Sequence, residues 1–263
     1  MVQTPKLLLS LLLSLFLWST TMNSWADGRR LPLQAVPGAV VDGDTFTIFD
    51  VGRIRIMGID TPEMESERNP AEPYALEAKK RAQYLLMNRG HSVKLTLEKK
   101  GRKRDVYKRP LCYVELPDGQ DLGEVLLEEG LAIVYASGDL SRFKRYMKVE
   151  RRARKAGVGA WEQGHWLIDH KEARGHVGAY RIVRGQIQKV IKKGKWIYLN
   201  FGKNWREDFT ISISHRDWQA YFRKTLGSFK DLKNQKVEVR GRIGWRNGPL
   251  IRAHHISQLQ LDK

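Results

Sequence analysis

Short segments in which apolar and polar residues alternate, separated by turn residues, constrain this fold more than any other feature. In the first half of the 263-residue chain these segments are 39–48, 54–59, 93–97 and 111–116. Alternation is typical of half-buried strands. Helical spacing marks 74–89 and 141–156, and between them Asp121 followed by Glu124 predicts a capping box for a short helix. The pattern predicts a mostly β, α+β fold in which a small barrel carries three helices.

The second half has its own succession of alternating segments. Apolar alternation at 180–191, 195–201 and 209–213 is followed by a helical stretch at 217–226 and by two strands around Asn247-Gly248. Three strands, a helix and two strands is the order of an OB-fold, a five-stranded barrel often used to bind oligonucleotides. We therefore expect one domain at 27–163, a His- and Gly-rich linker at 164–177 and a small OB-like barrel at 178–263.

Residues 1–26 predict a signal peptide. The single charge of Lys6 precedes the apolar run Leu7 to Trp18, and small residues at 24 and 26 come just before Asp27. This run is too short to span a bilayer, so cleavage after Ala26 is expected, and the mature protein would be secreted or periplasmic. If the segment is not cleaved, the protein stays anchored in the membrane.

The whole chain has a formal net charge of +18. Most of this positive charge lies in its second half. Residues 27–170 hold 25 basic and 22 acidic residues, a net charge of +3. Residues 171–263 hold 21 basic and 7 acidic residues, a net charge of +14. An asymmetry of this size indicates that the second half meets a polyanion or an acidic membrane surface.

Four acidic side chains lie near the ends of two predicted strands: Asp42, Asp44, Asp60 and Glu63. Carboxylates brought together at the end of a barrel repel one another, and a hard cation bound by oxygen, such as calcium or magnesium, relieves that repulsion. The alternative is ordinary turn chemistry, because Asp-Gly and Asp-Thr-Pro both favour turns.

Two arginines accompany the acidic residues. Arg55 lies on the strand before Asp60, and Arg109 follows a basic loop. A cation beside guanidinium groups suits phosphodiester cleavage, because the metal can hold the phosphate and a bidentate arginine can neutralise the charge that develops on phosphorus. A surface salt bridge is the alternative role for a strand arginine.

Five ordered motifs resemble the staphylococcal nuclease family over residues 34 to 163, approximately. They are Val41-Asp42-Gly43-Asp44-Thr45, Arg55 to Glu63, Asp105 to Leu111, Gly130-Leu131-Ala132 and Ala156-Gly157 to Trp161. The resemblance implies an OB-like five-stranded barrel with three helices. It also implies a calcium-dependent endonuclease that acts on DNA and RNA.

The resemblance further implies a set of metal ligands. Asp44 and Asp60 would bind Ca²⁺ through their carboxylates and Thr61 through its backbone carbonyl. Asp42 would lie behind these ligands without touching the ion.

The catalytic residues implied by the resemblance are Arg55, Glu63 and Arg109. Both arginines match phosphate-binding positions, and Glu63 matches a glutamate that acts as general base or positions the attacking water. Tyr107 matches an aromatic residue that lines the nucleotide pocket. Tyr135 is the one candidate for a tyrosine that stacks on the base.

Lys108 departs from the family pattern, which often has glycine immediately before the second arginine. Because lysine disfavours a positive φ, the turn that presents Arg109 is expected to differ from the family's turn or to need a φ below zero.

Nucleic acid is the expected partner of both halves. Five aromatic residues interleave with Lys and Arg in the second half, at positions Trp196, Tyr198, Trp205, Trp218 and Trp245. Such rings suit base stacking beside a charged groove, although they also form barrel cores. One alternative is a binding protein with a non-catalytic barrel, and another is an envelope protein whose basic half binds acidic lipid or polysaccharide. No obligate protein partner is implied.

Overall fold

A computed structural model describes residues 34–49, 51–67, 69–88, 92–99, 101–136, 138–204 and 206–262, and the backbone of two further short strands. Those strands are β1 (Met22–Ser24) and β2 (Arg30–Pro32), which pair antiparallel. The predicted signal peptide, residues 1–26, otherwise lies outside the described residues and stays a prediction. Across the described ranges, no helix combines the length and apolar character that crossing a bilayer requires.

The first half contains a large sheet, a two-stranded ladder and three helices. Its elements are β3 (Gln34–Ala35), β4 (Pro37–Val40), β5 (Thr45–Ile48), β6 (Gly52–Ile56), β7 (Ile59–Asp60), α1 (Ala75–Asn88), β8 (Val93–Leu97), β9 (Leu111–Glu115), α2 (Leu122–Glu128), β10 (Ile133–Val134) and α3 (Phe143–Ala156). The three predicted helices are confirmed. α2 begins as its sequence predicts, because the Asp121 side chain accepts a hydrogen bond from Glu124 N at 3.2 Å.

The large sheet has the hydrogen-bonded order β3-β8-β9-β6-β5-β4. The alternating segments 39–48 and 54–59 form a hairpin, because β5 and β6 pair antiparallel from Thr45 opposite Arg55 to Ile48 opposite Gly52. β6 also pairs with β9 in parallel. This order does not confirm a closed five-stranded barrel, because β3 and β4, the two parts of the first strand, end the sheet and are not hydrogen-bonded neighbours in it. Proline donates no backbone hydrogen bond, and Pro37 stands at this division.

Alternate residues of the hairpin and one stripe of α1 form the core of the first half. Phe46 and Ile54 are 1% and 0% exposed, and Ala78 and Leu85 of α1 are 0% exposed. The buried face of the hairpin fixes which of its side chains point outward. It therefore also fixes the direction of Arg55, which is the cross-strand partner of Thr45.

The second half contains two further sheets and a short helical segment. Its elements are β11 (Leu167–Asp169), β12 (Tyr180–Gln186), β13 (Lys189–Lys193), β14 (Trp196–Asn200), β15 (Thr210–Ser214), α4 (His215–Asp217), a π-helical turn (Trp218–Phe222), α5 (Arg223–Leu226), β16 (Lys236–Arg242), β17 (Gly244–Trp245), β18 (Pro249–Ala253) and β19 (Leu259–Leu261). The sheets have the orders β11-β12-β16-β19 and β13-β14-β15-β18-β17. Trp218 is 1% exposed and belongs to the core, while Trp205 lies outside the described residues.

The segment expected to be a linker, 164–177, packs against both halves. Its strand β11 pairs in parallel with β12. Trp166, which is 0% exposed, donates a hydrogen bond from Nε1 to the carbonyl of Gly130 at 3.2 Å. The domain boundaries themselves stay predictions.

A buried interface joins the two halves of the chain. One apolar cluster contains residues of both: Ile133, Ala153, Ala160, Trp161, Trp166, Tyr180 and Ile182. Arg240 Nη2 lies 2.8 Å from Glu150 Oε1, and these side chains are only 5% and 2% exposed. The other carboxylate oxygen of Glu150 accepts a hydrogen bond from Val134 N at 2.6 Å. This ion pair therefore fixes β16 of the second half against α3 and β10 of the first.

Removing the Arg240 side chain is expected to destabilise the whole protein. In Arg240→Ala the Glu150 carboxylate stays buried without its countercharge, which costs about 3–5 kcal/mol. Urea denaturation followed by circular dichroism measures the loss in the free energy of unfolding.

Lys94→Ala is the matched control for this loss. Lys94 lies 3.2 Å from Glu115, but the two side chains are 50% and 35% exposed. A surface pair of this kind contributes about 0–1 kcal/mol. Equal losses in the two variants would contradict a buried ionic contact between the halves.

Candidate active site

Two buried aspartates and an arginine meet where strands of the first half end. Asp44 comes directly before β5, Asp60 ends β7, and Arg55 lies on β6 between them. Arg55 Nη1 lies 2.6 Å from Asp44 Oδ1, and Arg55 Nη2 donates to Asp60 Oδ1. The two aspartates are 1% and 3% exposed. Arg55 is therefore a partner of two buried carboxylates and not a member of a surface salt bridge.

The turn at Asp42-Gly43-Asp44 fixes the Asp44 carboxylate. Asp44 N donates to Asp42 Oδ1 at 3.0 Å, and Thr61 N donates to Asp44 Oδ2 at 3.2 Å. A Cβ atom at position 43 would lie 2.8 Å from Ala78 Cβ and 2.8 Å from Thr61 Cγ2. Only glycine allows so close an approach, so the turn is held between α1 and Thr61.

Burial disfavours the ionised form of two carboxyl groups at this site. Burial raises the pKa of Asp60 to about 7, against the opposing charges of Arg55 and, from the second half, Arg242. Burial and the charge of Asp44 raise the pKa of Asp42 to about 7. Burial lowers the pKa of Arg55, but the surrounding carboxylates, Asp44 and Asp60 first, outweigh it and raise that pKa. The cluster therefore favours positive charge beside it.

The donor atoms around Asp44 and Asp60 fit a hard divalent cation. Both carboxylates already bind the same guanidinium, and Thr61 Oγ1 is buried without a hydrogen-bond partner. Calcium prefers such oxygen donors. Among the side chains that the structure describes, no three His, Cys, Asp or Glu residues are grouped so as to hold a metal ion. A bound ion would therefore need the oxygens of Thr61 or solvent to complete its coordination.

Lys108 adopts a left-handed backbone conformation, with a φ of 65°. The expectation of a negative φ at this lysine is therefore wrong. Asp105 is the physical reason, because its Oδ1 accepts hydrogen bonds from Tyr107 N at 2.9 Å and from Arg109 N at 2.8 Å. These two bonds stabilise the turn against the cost of a left-handed lysine, about 1–2 kcal/mol.

Arg109 connects to the buried carboxylates through Thr45. Arg109 Nη1 donates to Thr45 Oγ1 at 3.2 Å, and Thr45 Oγ1 donates to Asp44 Oδ1 at 2.9 Å. Arg109 Nε is also held by Asp105 Oδ2 at 2.6 Å. The structure therefore connects both predicted arginines to Asp44, Arg55 directly and Arg109 through Thr45. Sequence analysis missed this connecting role of Thr45, because an alternating strand pattern does not distinguish it.

The two predicted nucleotide-binding tyrosines lie beside different arginines. Tyr107 is 77% exposed and lines a groove of about 760 Å³ together with Arg53 and Arg109. The ring centroid of Tyr135 lies 5.9 Å from the guanidinium of Arg55. Tyr180 covers one side of Tyr135, with a centroid separation of 4.8 Å. Tyr135 therefore has less free surface for a base than Tyr107 has.

Glu63 lies at the solvent-exposed edge of the site. Its side chain is 52% exposed, and its backbone N–H donates to Glu72 Oε2 at 3.1 Å. Arg242 Nη2 of the second half lies 3.6 Å from Glu63 Oε1. Sequence analysis missed this arginine, because it comes from a distant strand and no local motif marks it.

Comparisons with known proteins find relatives of about half of this chain. A family model described as staphylococcal nuclease homologue matches residues 53–163. The thermonuclease of Staphylococcus intermedius is 33% identical over 129 residues, which cover 47% of this chain and 73% of that protein. Two Bacillus subtilis (strain 168) proteins also match over 135 residues, about half of this chain. SPbeta prophage-derived endonuclease YokF is 35% identical and endonuclease YncB 32% identical.

The matches differ in how much of each relative they cover. The chain spans 44% of YokF and 62% of YncB, so each Bacillus protein has a large part that is not matched. The matched region holds Arg55, Asp60 and Arg109, whose contacts converge in the structure. From these motifs, this geometry and the extent of the thermonuclease match, we conclude that the chain belongs to the staphylococcal nuclease homologue family.

Proposed function

We propose that this protein is an exported, calcium-dependent endonuclease that hydrolyses phosphodiester bonds of DNA and RNA. The observation that carries the proposal is the convergence of two arginines on the buried Asp44, which lies beside the buried Asp60. Arg55 contacts Asp44 and Asp60 directly, and Arg109 reaches Asp44 through Thr45. The printed names of the matched relatives, endonuclease and thermonuclease, add support. The signal-like residues 1–26 support export.

The positions of the two arginines and of Glu63 suggest a role for each side chain in the reaction. Arg55 and Arg109 neutralise the charge that accumulates on the phosphate oxygens as water attacks phosphorus. Glu63 is exposed enough to receive a water molecule, which it orients or deprotonates. The bond from phosphorus to the 5′ oxygen breaks as the new bond to water oxygen forms. The products are a 3′-phosphate and a 5′-hydroxyl.

Calcium fits the oxygen donors of Asp44, Asp60 and Thr61. When bound, it supplies Lewis-acid stabilisation of the phosphate charge. The same carboxylates hold both Nη atoms of Arg55. Asp44, Asp60 and Thr61 would hold the ion, and Arg55 would neutralise the phosphate beside it.

The strand pairing of the second half supports an OB-like barrel. Only Ile187 and Gln188 separate β12 from β13, and only Ile243 separates β16 from β17. If each pair is counted as one bent strand, the partners run from β13 through β14, β15, β18 and β17 and return through β16 to β12. In both halves an antiparallel pair is followed by a parallel pairing, β6 with β9 and β15 with β18. Both halves thus favour the same barrel type.

The outer surface of this second half suits a polyanion. The Arg252 guanidinium lies 4.7 Å from the ring centroid of Trp196, and Tyr198 is half-buried two residues further along β14. A separate groove of about 690 Å³ is lined by four lysines, Lys189, Lys203, Lys230 and Lys233. Stacking rings and cationic grooves are the two components of single-strand binding. We infer that the second half holds the polymer substrate.

Product analysis with end-labelled substrates tests the proposed reaction. The protein is incubated with calcium and with single-stranded DNA or RNA labelled at either end. We expect internal cuts in both polymers and products that carry 3′-phosphate and 5′-hydroxyl groups. Arg109→Ala is the control for contaminating nucleases and should not cut. Binding of the polymers without any cleavage would favour the alternative of a non-catalytic binding protein.

A further inference from the structure

An arginine of the second half lies at the edge of the candidate active site. Arg242 ends β16, where Tyr180 of β12 is its cross-strand partner. Its Nη1 donates to the carbonyl of Gly178, and its Nη2 lies 3.6 Å from Glu63 Oε1. The Arg242 side chain is 51% exposed, so one side of the guanidinium faces solvent. The positive charge of Arg242 also acts to lower the pKa of Asp60, against the larger effect of burial.

The strands that carry Arg242 are fixed to the first half. Tyr180 stacks on Tyr135, and its hydroxyl oxygen accepts a hydrogen bond from Ala136 N at 3.0 Å. Two residues before Arg242, Arg240 forms the buried ion pair with Glu150. The backbone of Arg242 is therefore held in place by packed neighbours on both strands.

The surroundings of Arg242 also contain an exposed aromatic ring. Trp245 of β17 is 52% exposed, and the guanidinium of Arg174 lies 5.5 Å from its ring centroid. Gly178, whose carbonyl accepts from Arg242, donates its own N–H to Ile243 O at 2.7 Å. The segment 174–178 thus contacts both Arg242 and Trp245 and places a cation and a ring on one edge of the second half.

We propose that Arg242 binds the phosphate next to the scissile one, so that the second half completes a substrate subsite at the active site. The ligand is a single nucleic-acid strand, and Trp245 is placed to stack on one of its bases. Arg242 Nη2 lies 3.6 Å from Glu63 Oε1, which is longer than a charge-assisted hydrogen bond. Glu63 therefore does not saturate the guanidinium, which can form a bidentate contact with two oxygens of a phosphate. This subsite rests on the proposed nuclease function.

Short substrates with and without one extra phosphate test the subsite. The substrates are a dinucleotide and the same dinucleotide with a terminal phosphate at its 5′ or its 3′ end. In the wild type, one of the two added phosphates should raise kcat/KM about tenfold, the size of a charge-assisted hydrogen bond at a half-exposed position. Arg242→Ala should lose this gain, and Arg242→Lys should keep part of it, because lysine retains the charge without the planar fork.

Arg216→Ala is the matched control, because it removes one positive charge from the same half. Arg216 is 90% exposed and lies 3.4 Å from Asp217. This variant should keep the full gain from the added phosphate. If the added phosphate raises kcat/KM equally in Arg242→Ala and in the wild type, the proposed subsite is wrong. An equal slowing of all three substrates in Arg242→Ala would also overturn it, because that pattern indicates that Arg242 only positions Glu63.

A binding measurement separates failure of the subsite from failure of the proposed function. Fluorescence anisotropy measures the Kd for a labelled single-stranded trinucleotide. With chelator present, this measurement does not depend on cleavage. Arg242→Ala should bind several-fold more weakly than wild type and Arg216→Ala should not. Absence of cleavage by the wild type would refute the nuclease proposal alone. Unchanged binding by Arg242→Ala would refute the subsite whether or not the protein cleaves.

Discussion

Chelation of calcium is expected to reduce cleavage of single-stranded DNA to background. Asp44 and Asp60 are buried together, and burial raises the pKa of Asp60 to about 7, so this pair gains from a nearby cation. A metal that stabilises developing phosphate charge contributes several kcal/mol, which corresponds to about 10³-fold in rate or more. Initial rates of DNA cleavage at millimolar calcium concentrations, with and without excess chelator, measure this loss of activity. Magnesium should support less turnover, because it demands octahedral geometry and releases water reluctantly.

Thermal stability gives a second measurement of the same ion. Calcium that binds only the folded state should stabilise the protein, by about 2.7 kcal/mol at one hundred times its Kd. Asp60→Asn should lose this stabilisation together with the activity. Asp231→Asn, which changes an exposed carboxylate of the second half, should lose neither. Full activity in excess chelator, with no stabilisation by calcium, would refute the calcium assignment.

Local patterns in the sequence predicted the elements that position the site. Alternation around a bend predicts the β5–β6 hairpin, and helical spacing predicts α1 and α3, because both periods follow directly from backbone geometry. The same reasoning placed Asp44 and Asp60 at strand ends, where the structure brings them to one guanidinium. The resemblance to a family gave Arg109 a phosphate-binding role, and its link to Asp44 runs through Thr45.

Contacts between distant segments were beyond the reach of these patterns. Glu150 lies on α3, where charged residues surround the apolar stripe, and no period distinguishes it from a solvated glutamate. It is 1% exposed because Arg240 of the second half covers it. Arg242 reaches Glu63 for the same reason, since the packing of two halves decides both contacts. Lys108 is a third case. The hydrogen bonds that the backbone of its two neighbours donates to Asp105 outweigh the preference of lysine for a negative φ.

Replacement of Arg55 or Arg109 by lysine is expected to lower kcat by about 10²–10⁴-fold while the Kd for single-stranded DNA changes by less than about tenfold. Lysine keeps the charge but loses the planar fork. For Arg109 this removes the geometry in which Nε binds Asp105 while Nη1 binds Thr45. Single-turnover kinetics measure the chemical step, and anisotropy in chelator measures binding. The unfolding free energy of Arg55→Lys must also be measured, because Arg55 holds two buried carboxylates.

Arg53→Lys is the control that distinguishes position from charge. Arg53 lies on β6 two residues before Arg55 and lines the groove beside Tyr107. Arg55 bonds to Asp44 and Asp60, and Arg53 does not. Replacing the planar guanidinium of Arg53 by an ammonium group should therefore leave kcat within about threefold of wild type. Arg55→Lys and Arg109→Lys variants that fold and turn over at the rate of Arg53→Lys would show that the two arginines support structure only. The convergence on Asp44 would then have to be explained by stability, and the proposed chemistry would lose its main support.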